Sequence, residues 1–308
     1  MHRIKGLYNH LKNDSLYRNS VFLLASNILV AGLGFIFWAI AARLFSTEEV
    51  GLGSTMISMI DLLSVFAILG LNISLVRYLP TSEHKNEKIN STFTIVTITS
   101  LVATAIFIFG LNSFSPELSF VRDSSLYILL FTFFVIVSSL SQTMKSIFRA
   151  FLSSQYVLIK NAIFNTSKIG LLFIFIGFGS FGLLTAWMSA LTIAVLISIY
   201  LLVHKFDYVI QPGVNWSVVK RMARFSFANY ISEFFERAPR LVLPLIITNL
   251  IGPEQTAYYF ISMSLAGFIF MIPEAISSSY YAEGSADERN LKTNTMKVLK
   301  AYAFTLVP

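Results

Sequence analysis

The stretch VFLLASNILVAGLGFIFWAIAA, Val21 to Ala42, contains no charged residue. It matches the ~20 apolar residues that a helix needs to cross a bilayer core. It is too long for the apolar region of a signal peptide, and no small-residue cleavage site follows it. It is therefore a span of the protein itself. Outward from it the pattern recurs, at roughly 50–78, 90–112, 125–150, 157–178, 182–204, 225–250 and 255–282, with a further span entered near Lys297. Lipid cannot satisfy open backbone groups, and the alternation of a barrel strand is absent, so each span is expected to be a helix.

Composition agrees. The 308 residues are 55% hydrophobic and 13% charged, with 29 Phe and a mean hydropathy of +0.69. A soluble domain of this size cannot bury so much apolar surface, which predicts an all-α, polytopic membrane protein. There is no cysteine, so disulfides and thiolate metal sites are excluded. His2, His10, His84 and His204 all fall near span ends, no metal-ligand cluster is expected, and nothing in the sequence calls for a cofactor.

Most of the 23 Lys and Arg gather on one side of the predicted spans. That side collects Arg3, Lys5, Lys12 and Arg18, then Arg77, Lys85 and Lys88, then Lys145, Arg149, Lys160 and Lys168. It also takes Lys205, Lys220, Arg221 and Arg224, and finally Arg289, Lys292, Lys297 and Lys300. By the positive-inside rule the N-terminus is expected in the cytoplasm, in the cytoplasmic (inner) membrane. The net charge of +7 is explained by anionic lipid headgroups and needs no nucleic acid. Glycosylation triplets at Asn13, Asn90, Asn165 and Asn215 lie on or near the same side and read as chance matches.

The turn Leu44-Phe45-Ser46-Thr47-Glu48-Glu49 resembles Leu250-Ile251-Gly252-Pro253-Glu254-Gln255 at an offset of about 206 residues. In both, a long helix ends and an acidic residue is placed to cap the next. Six spans separate the copies, which predicts a parallel repeat of two six-helix lobes around a central cavity. Residues 1–206 would form the first lobe and 207–308 the start of the second, which is incomplete in this chain because the sequence stops inside an apolar segment.

The seventh span holds Glu233, Glu236, Arg237 and Arg240 at i, i+3, i+4 and i+7. At ~100° per residue they share an arc of about 100°, extended by Ser226, Asn229 and Pro244. A charge at this depth costs roughly 2.5–3.5 kcal/mol on insertion scales, so the stripe should face protein or a wet cavity. The corresponding positions of the first span, Asn27, Val30, Ala31 and Gly34, are uncharged, so the lobes are unequal. Pro239 and Pro244 should bend this helix.

The segment Ala42-Arg43-Leu44-Phe45-Ser46-Thr47-Glu48-Glu49-Val50-Gly51-Leu52 and its continuation Leu69-Gly70-Leu71-Asn72-Ile73-Ser74-Leu75-Val76-Arg77-Tyr78-Leu79-Pro80 resemble the signature region of the polysaccharide-transport family. Those are the Wzx-type flippases of O-antigen and other surface glycans, in the superfamily that also holds multidrug antiporters and the lipid II flippase. The resemblance is strong over about residues 20–90. It implies a non-enzymatic flippase moving an isoprenoid pyrophosphate-linked oligosaccharide to the outer leaflet for surface polysaccharide biosynthesis. It implies as partners that lipid-linked oligosaccharide, membrane lipids, and a glycan polymerase with glycosyltransferases.

On that implication Arg237 and Arg240 are the candidate substrate contacts, since guanidinium forks bind phosphate oxygens bidentately and stay protonated. Glu233, Glu236 and Asn229 share the same cavity wall. The alternative is that Glu233–Arg237 and Glu236–Arg240 are i,i+4 pairs that neutralise each other. Asp61 in the second span and Glu274 after Pro273 are candidate ion-coupling or cavity acids, with ordinary pairing as the alternative. Arg43 and Arg77 are candidate gate or headgroup contacts, or interfacial anchors. Lys145, Arg149, Lys160 and Lys168, interleaved with Phe148 and Tyr156, read as orientation-setting residues.

No nucleophile–base pair, phosphate-cradling glycine loop or ATP motif is present. Two other functions stay open. A multidrug or cation antiporter of the same superfamily would use Asp61, Glu233, Glu236 and Glu274 as an acidic cavity. A membrane glycan polymerase or ligase would need a long outer loop, which no connection before Pro308 supplies.

Overall fold

The computed structural model describes residues 15–267, and these are helical with no strand. Helix α1 runs Ser15–Leu44, α2 Thr47–Ile68, α3 Leu71–Tyr78, α4 Lys85–Phe114, α5 Ser125–Ala150, α6 Ser154–Phe175, α7 Gly179–Phe206 and α8 Trp216–Leu250. A further helix, α9, begins at 253 and reaches the end of the described residues at 267. Short 3-10 turns at Pro116–Arg122 and Ile176–Phe178 close the α4–α5 and α6–α7 connections. The predicted span 125–150 coincides with α5, and the remaining spans up to residue 250 correspond to helices, with one exception. The span entered near Lys297 lies outside the described residues.

The exception is the span predicted over 50–78, which the structure divides into α2 and α3. Leu69 (φ 52) and Gly70 (φ 70) both take the left-handed conformation and end α2. Gly70 has a second reason to be glycine. A Cβ there would lie 2.9 Å from the Ser226 carbonyl oxygen and 2.9 Å from Tyr230 Cβ of α8. The apolar run continues across the break, so hydropathy did not reveal it.

Helix α2 is the central element, with most of its length buried between α4, α5, α7 and α8. Its start is a capping box: Glu49 N donates to Ser46 Oγ at 3.2 Å and Ser46 N donates to Glu49 Oε2 at 2.8 Å. That satisfies two of the orphan donors at a helix N-terminus. Gly51, Gly53, Ser54, Thr55 and Ser58 then keep its surface narrow. The hydroxyls of Ser54 and Thr55 donate back to the Gly51 carbonyl, so they add no unpaired polar group to the core. Helices α1, α6 and α7 pack together beside this centre.

Between α7 and α8 the chain is extended and strapped to the first turns of α4. Asn90 donates to Val209 O at 2.9 Å and accepts from Tyr208 Oη at 2.5 Å and Gln211 N at 3.1 Å. Ser91 Oγ accepts from Asn215 N, Thr94 Oγ1 accepts from Gly213 N, and Asn215 Nδ2 donates to Glu87. Asn215 also caps α8 through Ser217 N and Val218 N. Two glycosylation-like triplets are thereby accounted for: their asparagines, Asn90 and Asn215, are structural pins. Burial pushes the Tyr208 hydroxyl up to about 12.

Helix α8 is continuous through Pro239 and Pro244. It lies against α2 and α3 along its length, held by hydroxyl contacts at both ends. At one end Ser74 Oγ meets Ser226 Oγ at 2.5 Å and donates to Met222 O at 2.8 Å. At the other, Thr248 Oγ1 lies 2.5 Å from Thr55 Oγ1 and 2.7 Å from Thr256 Oγ1.

Candidate functional site: a charged cluster between α2, α3, α5 and α8

Between those two ends, α8 presents its charges to the first helices. Arg237 Nη2 bonds Glu233 Oε1 at 2.8 Å, the i,i+4 pair that the spacing offered. Arg237 Nη1 also donates to Gln142 Oε1 of α5 at 2.8 Å. Asn72, one residue into α3, donates to both Glu233 oxygens at 3.2 and 3.1 Å. Its placement depends on the Leu69-Gly70 break, which turns the start of α3 toward α8. Asp61 of α2 accepts from Ser138 Oγ of α5 at 2.8 Å and has Arg237 as its charged neighbour.

Two carboxylates and one guanidinium thus share a site with Asn72, Gln142 and Ser138. Each acid is committed: Glu233 is 17% exposed and bonded from two sides, while the Arg237 side chain remains 43% exposed. The guanidinium has five N–H groups, so donors remain beyond those facing Glu233 and Gln142. The arrangement pairs Glu233 with Arg237, gives Asp61 a hydroxyl donor, and leaves the cation accessible. Asn72, Gln142 and Ser138 escaped the sequence reading because their partners are far along the chain. Only Asn72 carried a signal, as part of the signature segment.

The second i,i+4 pair does not form. Glu236 and Arg240 are both exposed, at the margin of the packed face of α8 and without a partner among the described residues. Asn229 is carried by α8, but its side chain, like the whole of Glu274, lies outside the described residues. Arg43 is exposed in the last turn of α1, away from the cluster. Arg77 is at the far end of α3, with its guanidinium carbon 4.2 Å from the Phe225 ring centroid and 5.5 Å from that of Tyr78. It clasps α3 to α8 by cation–π contact.

Two lysines assigned to the basic surface stand elsewhere. Lys160 and Lys168 of α6 are 5% and 1% exposed, inside the helix bundle. The sequence could not show this, because the rings that cover Lys168 come from α1 and α7 as well as α6. A cleft of about 1130 Å³ opens beside the 207–217 strap, well away from the charged cluster. Its polar walls, including Asn86, Glu87 and Asn90, are those that pin the strap, so it is the groove of that connection and not the site.

Comparison with known proteins agrees with this architecture. The family described as polysaccharide biosynthesis protein matches residues 16–279. An uncharacterized membrane protein of Methanocaldococcus jannaschii is 22% identical over 286 residues, covering 85% of this chain; the chain spans 66% of that relative's length. Among solved structures, an outward-facing multidrug resistance MATE family transporter of the MOP superfamily aligns over 94% of this chain and 69% of its own, with a TM-score of 0.55 and 15% identity. A MOP superfamily transporter from Pyrococcus furiosus, described as having a binding pocket of reverse polarity that suggests a different function, gives 0.57 at 16% identity over 94% and 69%. At these identities the likeness is one of fold: an all-α, multi-pass membrane architecture. With its family match spanning residues 16–279, the chain belongs to the polysaccharide biosynthesis protein family, and its fold is similar to that of the MOP superfamily transporters above.

Proposed function

We propose that the chain provides the first lobe, residues 1–206, and the start of the second, from 207, of a flippase for an isoprenoid pyrophosphate-linked oligosaccharide. The observation that carries this is Arg237: a half-exposed guanidinium at mid-span, held in place by Glu233 and Gln142 with N–H donors to spare. A pyrophosphate drawn through the low-dielectric middle of a membrane needs such a fixed cation, and guanidinium offers it bidentate hydrogen bonds. Arg240, one turn of about 5 Å further on, supplies the second. The sugar and pyrophosphate would travel between the lobes while the isoprenoid tail stays in lipid, with the N-terminus on the cytoplasmic side of the inner membrane.

An acidic cavity for cationic drugs fits less well, because Glu233 is occupied by Arg237 and Asn72, and Asp61 by Ser138 with Arg237 nearby. The proposal is tested by Arg237→Ala/Arg240→Ala in the full-length protein. Surface glycan should be lost while resistance to cationic drugs is unchanged. Surviving glycan export would remove these arginines from the substrate path.

A further inference from the structure

Lys168 lies about 21 Å along α6 from Ser154, at a rise of 1.5 Å per residue, which places it near mid-bilayer. Its Nζ is 4.0 Å from the Trp187 ring centroid, 4.8 Å from Phe164 and 4.9 Å from Phe37. Phe37 and Trp187 are themselves edge-packed at 5.1 Å, and Trp38 closes against Trp187 at 5.8 Å. An aromatic cage of this kind recognises a cation by its ring faces. Here the cage encloses the protein's own amine, with no carboxylate beside it among the described residues. An ionisable group at membrane depth is a functional site by default.

Ser154, Asn161, Asn165 and Lys168 share one face of α6, within about 60° at ~100° per residue, and Lys160 points instead to α5. Ser154 N donates to Asn19 Oδ1 of α1 at 2.7 Å. Lys160 Nζ donates to Ser141 O at 3.1 Å and Ser141 Oγ at 2.6 Å on α5. Asn161 Nδ2 donates to Ser26 Oγ of α1 at 2.7 Å, and Asn165 Nδ2 to Asn161 O at 2.8 Å. Asn165 is fully buried, yet its Oδ1 has no partner. A buried orphan acceptor between polar neighbours is where a water is expected to donate. Ser154, Asn161, Asn165 and Lys168 form a polar stripe, roughly four turns long, that stops at the cage.

We propose that Lys168 is an exchangeable proton-binding site within the first lobe, reached along this stripe, and that its protonation couples transport to proton movement. A hydronium proton relayed along the stripe adds to the Nζ lone pair, giving the ammonium held by the ring faces and leaving neutral water; the reverse step returns the proton as hydronium. The charged and titratable groups on the packed elements are Arg18 and Arg43 at the two ends of α1, Tyr127, Lys145 and Arg149 of α5, Tyr200, His204 and Lys205 toward the end of α7, and Glu254, Tyr258 and Tyr259 of α9, whose Phe260 ring is 5.2 Å from Trp38. Lys160 and Tyr156 are the further ones on α6 itself. No acid competes for the proton among the described residues in contact with the cage.

The chain has three tryptophans, and Trp216 is 73% exposed, so Trp216→Phe leaves emission to Trp38 and Trp187 in and beside the cage. Purified full-length protein in that background should show a one-proton change in emission between about pH 5 and 10. The change should vanish in Lys168→Arg, which keeps the cation and is verified as folded by an unchanged melting temperature. An equal transition in Lys168→Arg, or a flat parent curve, would overturn the proposal. So would an emission change that follows added phosphate or chloride at fixed pH, which would make the cage an anion site. The coupling itself rests on the transport reading and is measured separately. In proteoliposomes an imposed proton gradient should accelerate movement of the glycolipid by the parent but not by Lys168→Arg, with gradient-free movement alike in both. Gradient dependence retained in Lys168→Arg would refute coupling through this residue, whereas absence of all movement would count against the flippase reading alone.

Discussion

Gly51 of α2 packs so tightly against Pro253 that a Cβ on the glycine would lie 1.8 Å from the proline carbonyl oxygen. Pro253 belongs to one of the two similar turns recognised in the sequence and Gly51 lies two residues past the other, so the two regions meet in space. Thr55, Thr248 and Thr256 continue the contact one turn further in. Replacing Gly51 by Val should force the turns apart and disfavour this packed state. The protein has no cysteine, so Thr55→Cys/Thr248→Cys can report the state directly. The double variant should cross-link readily under mild oxidation, and adding Gly51→Val should reduce the cross-linked fraction several-fold, about 1 kcal/mol or more of population shift.

The Glu233–Arg237 pair allows structural pairing to be separated from substrate contact. Arg237→Gln leaves Glu233 with Asn72 alone and should lower stability by roughly 1.5–3 kcal/mol, the cost of a charged group losing its partner. Glu233→Gln/Arg237→Gln removes both charges and should recover much of that loss in thermal melts. Glycan export should stay defective in both. If the neutral double variant regained export, pairing would be the whole role of Arg237.

The strap between α7 and α8 predicts a local, pH-dependent release. Asn90→Ala removes three hydrogen bonds at about 1 kcal/mol each and should expose residues 207–215 to hydrogen exchange or proteolysis, leaving α5 and α6 protected. Tyr208, 4% exposed, holds its proton more firmly in the folded protein than in the unfolded chain, so its contribution is complete below about pH 10. That contribution falls as pH rises toward about 12. Tyr208→Phe should abolish this alkaline loosening, read as protease sensitivity of the strap against pH.

The helices were legible because lipid leaves the backbone no alternative, and α5 shows how closely hydropathy alone can bound one. The end of α2 at Leu69-Gly70 was not, since backbone handedness leaves no mark in an apolar run. For the site, i,i+4 spacing named Glu233 and Arg237 correctly as neighbours but offered Glu236–Arg240 equally, and only the first pair forms. Local spacing cannot say which face of α8 meets α2 and α3. Asn72, Gln142 and Ser138 were invisible for the same reason: their partners are fixed by tertiary packing. Lys160 and Lys168 were misplaced because the charge count assigned every lysine of this span to its basic side, whereas Lys168 is walled in by Phe37, Phe164 and Trp187.

The central claim is that Arg237 and Arg240 carry a pyrophosphate headgroup across the membrane. Its most direct measurement is movement of a fluorescent isoprenoid pyrophosphate-oligosaccharide between leaflets of liposomes containing the purified full-length protein. The account predicts movement that Arg237→Ala/Arg240→Ala reduces at least tenfold, about 1.4 kcal/mol or more, and that inorganic pyrophosphate inhibits. Movement at the parental rate in that variant, or inhibition by cationic drugs but not by pyrophosphate, would contradict it.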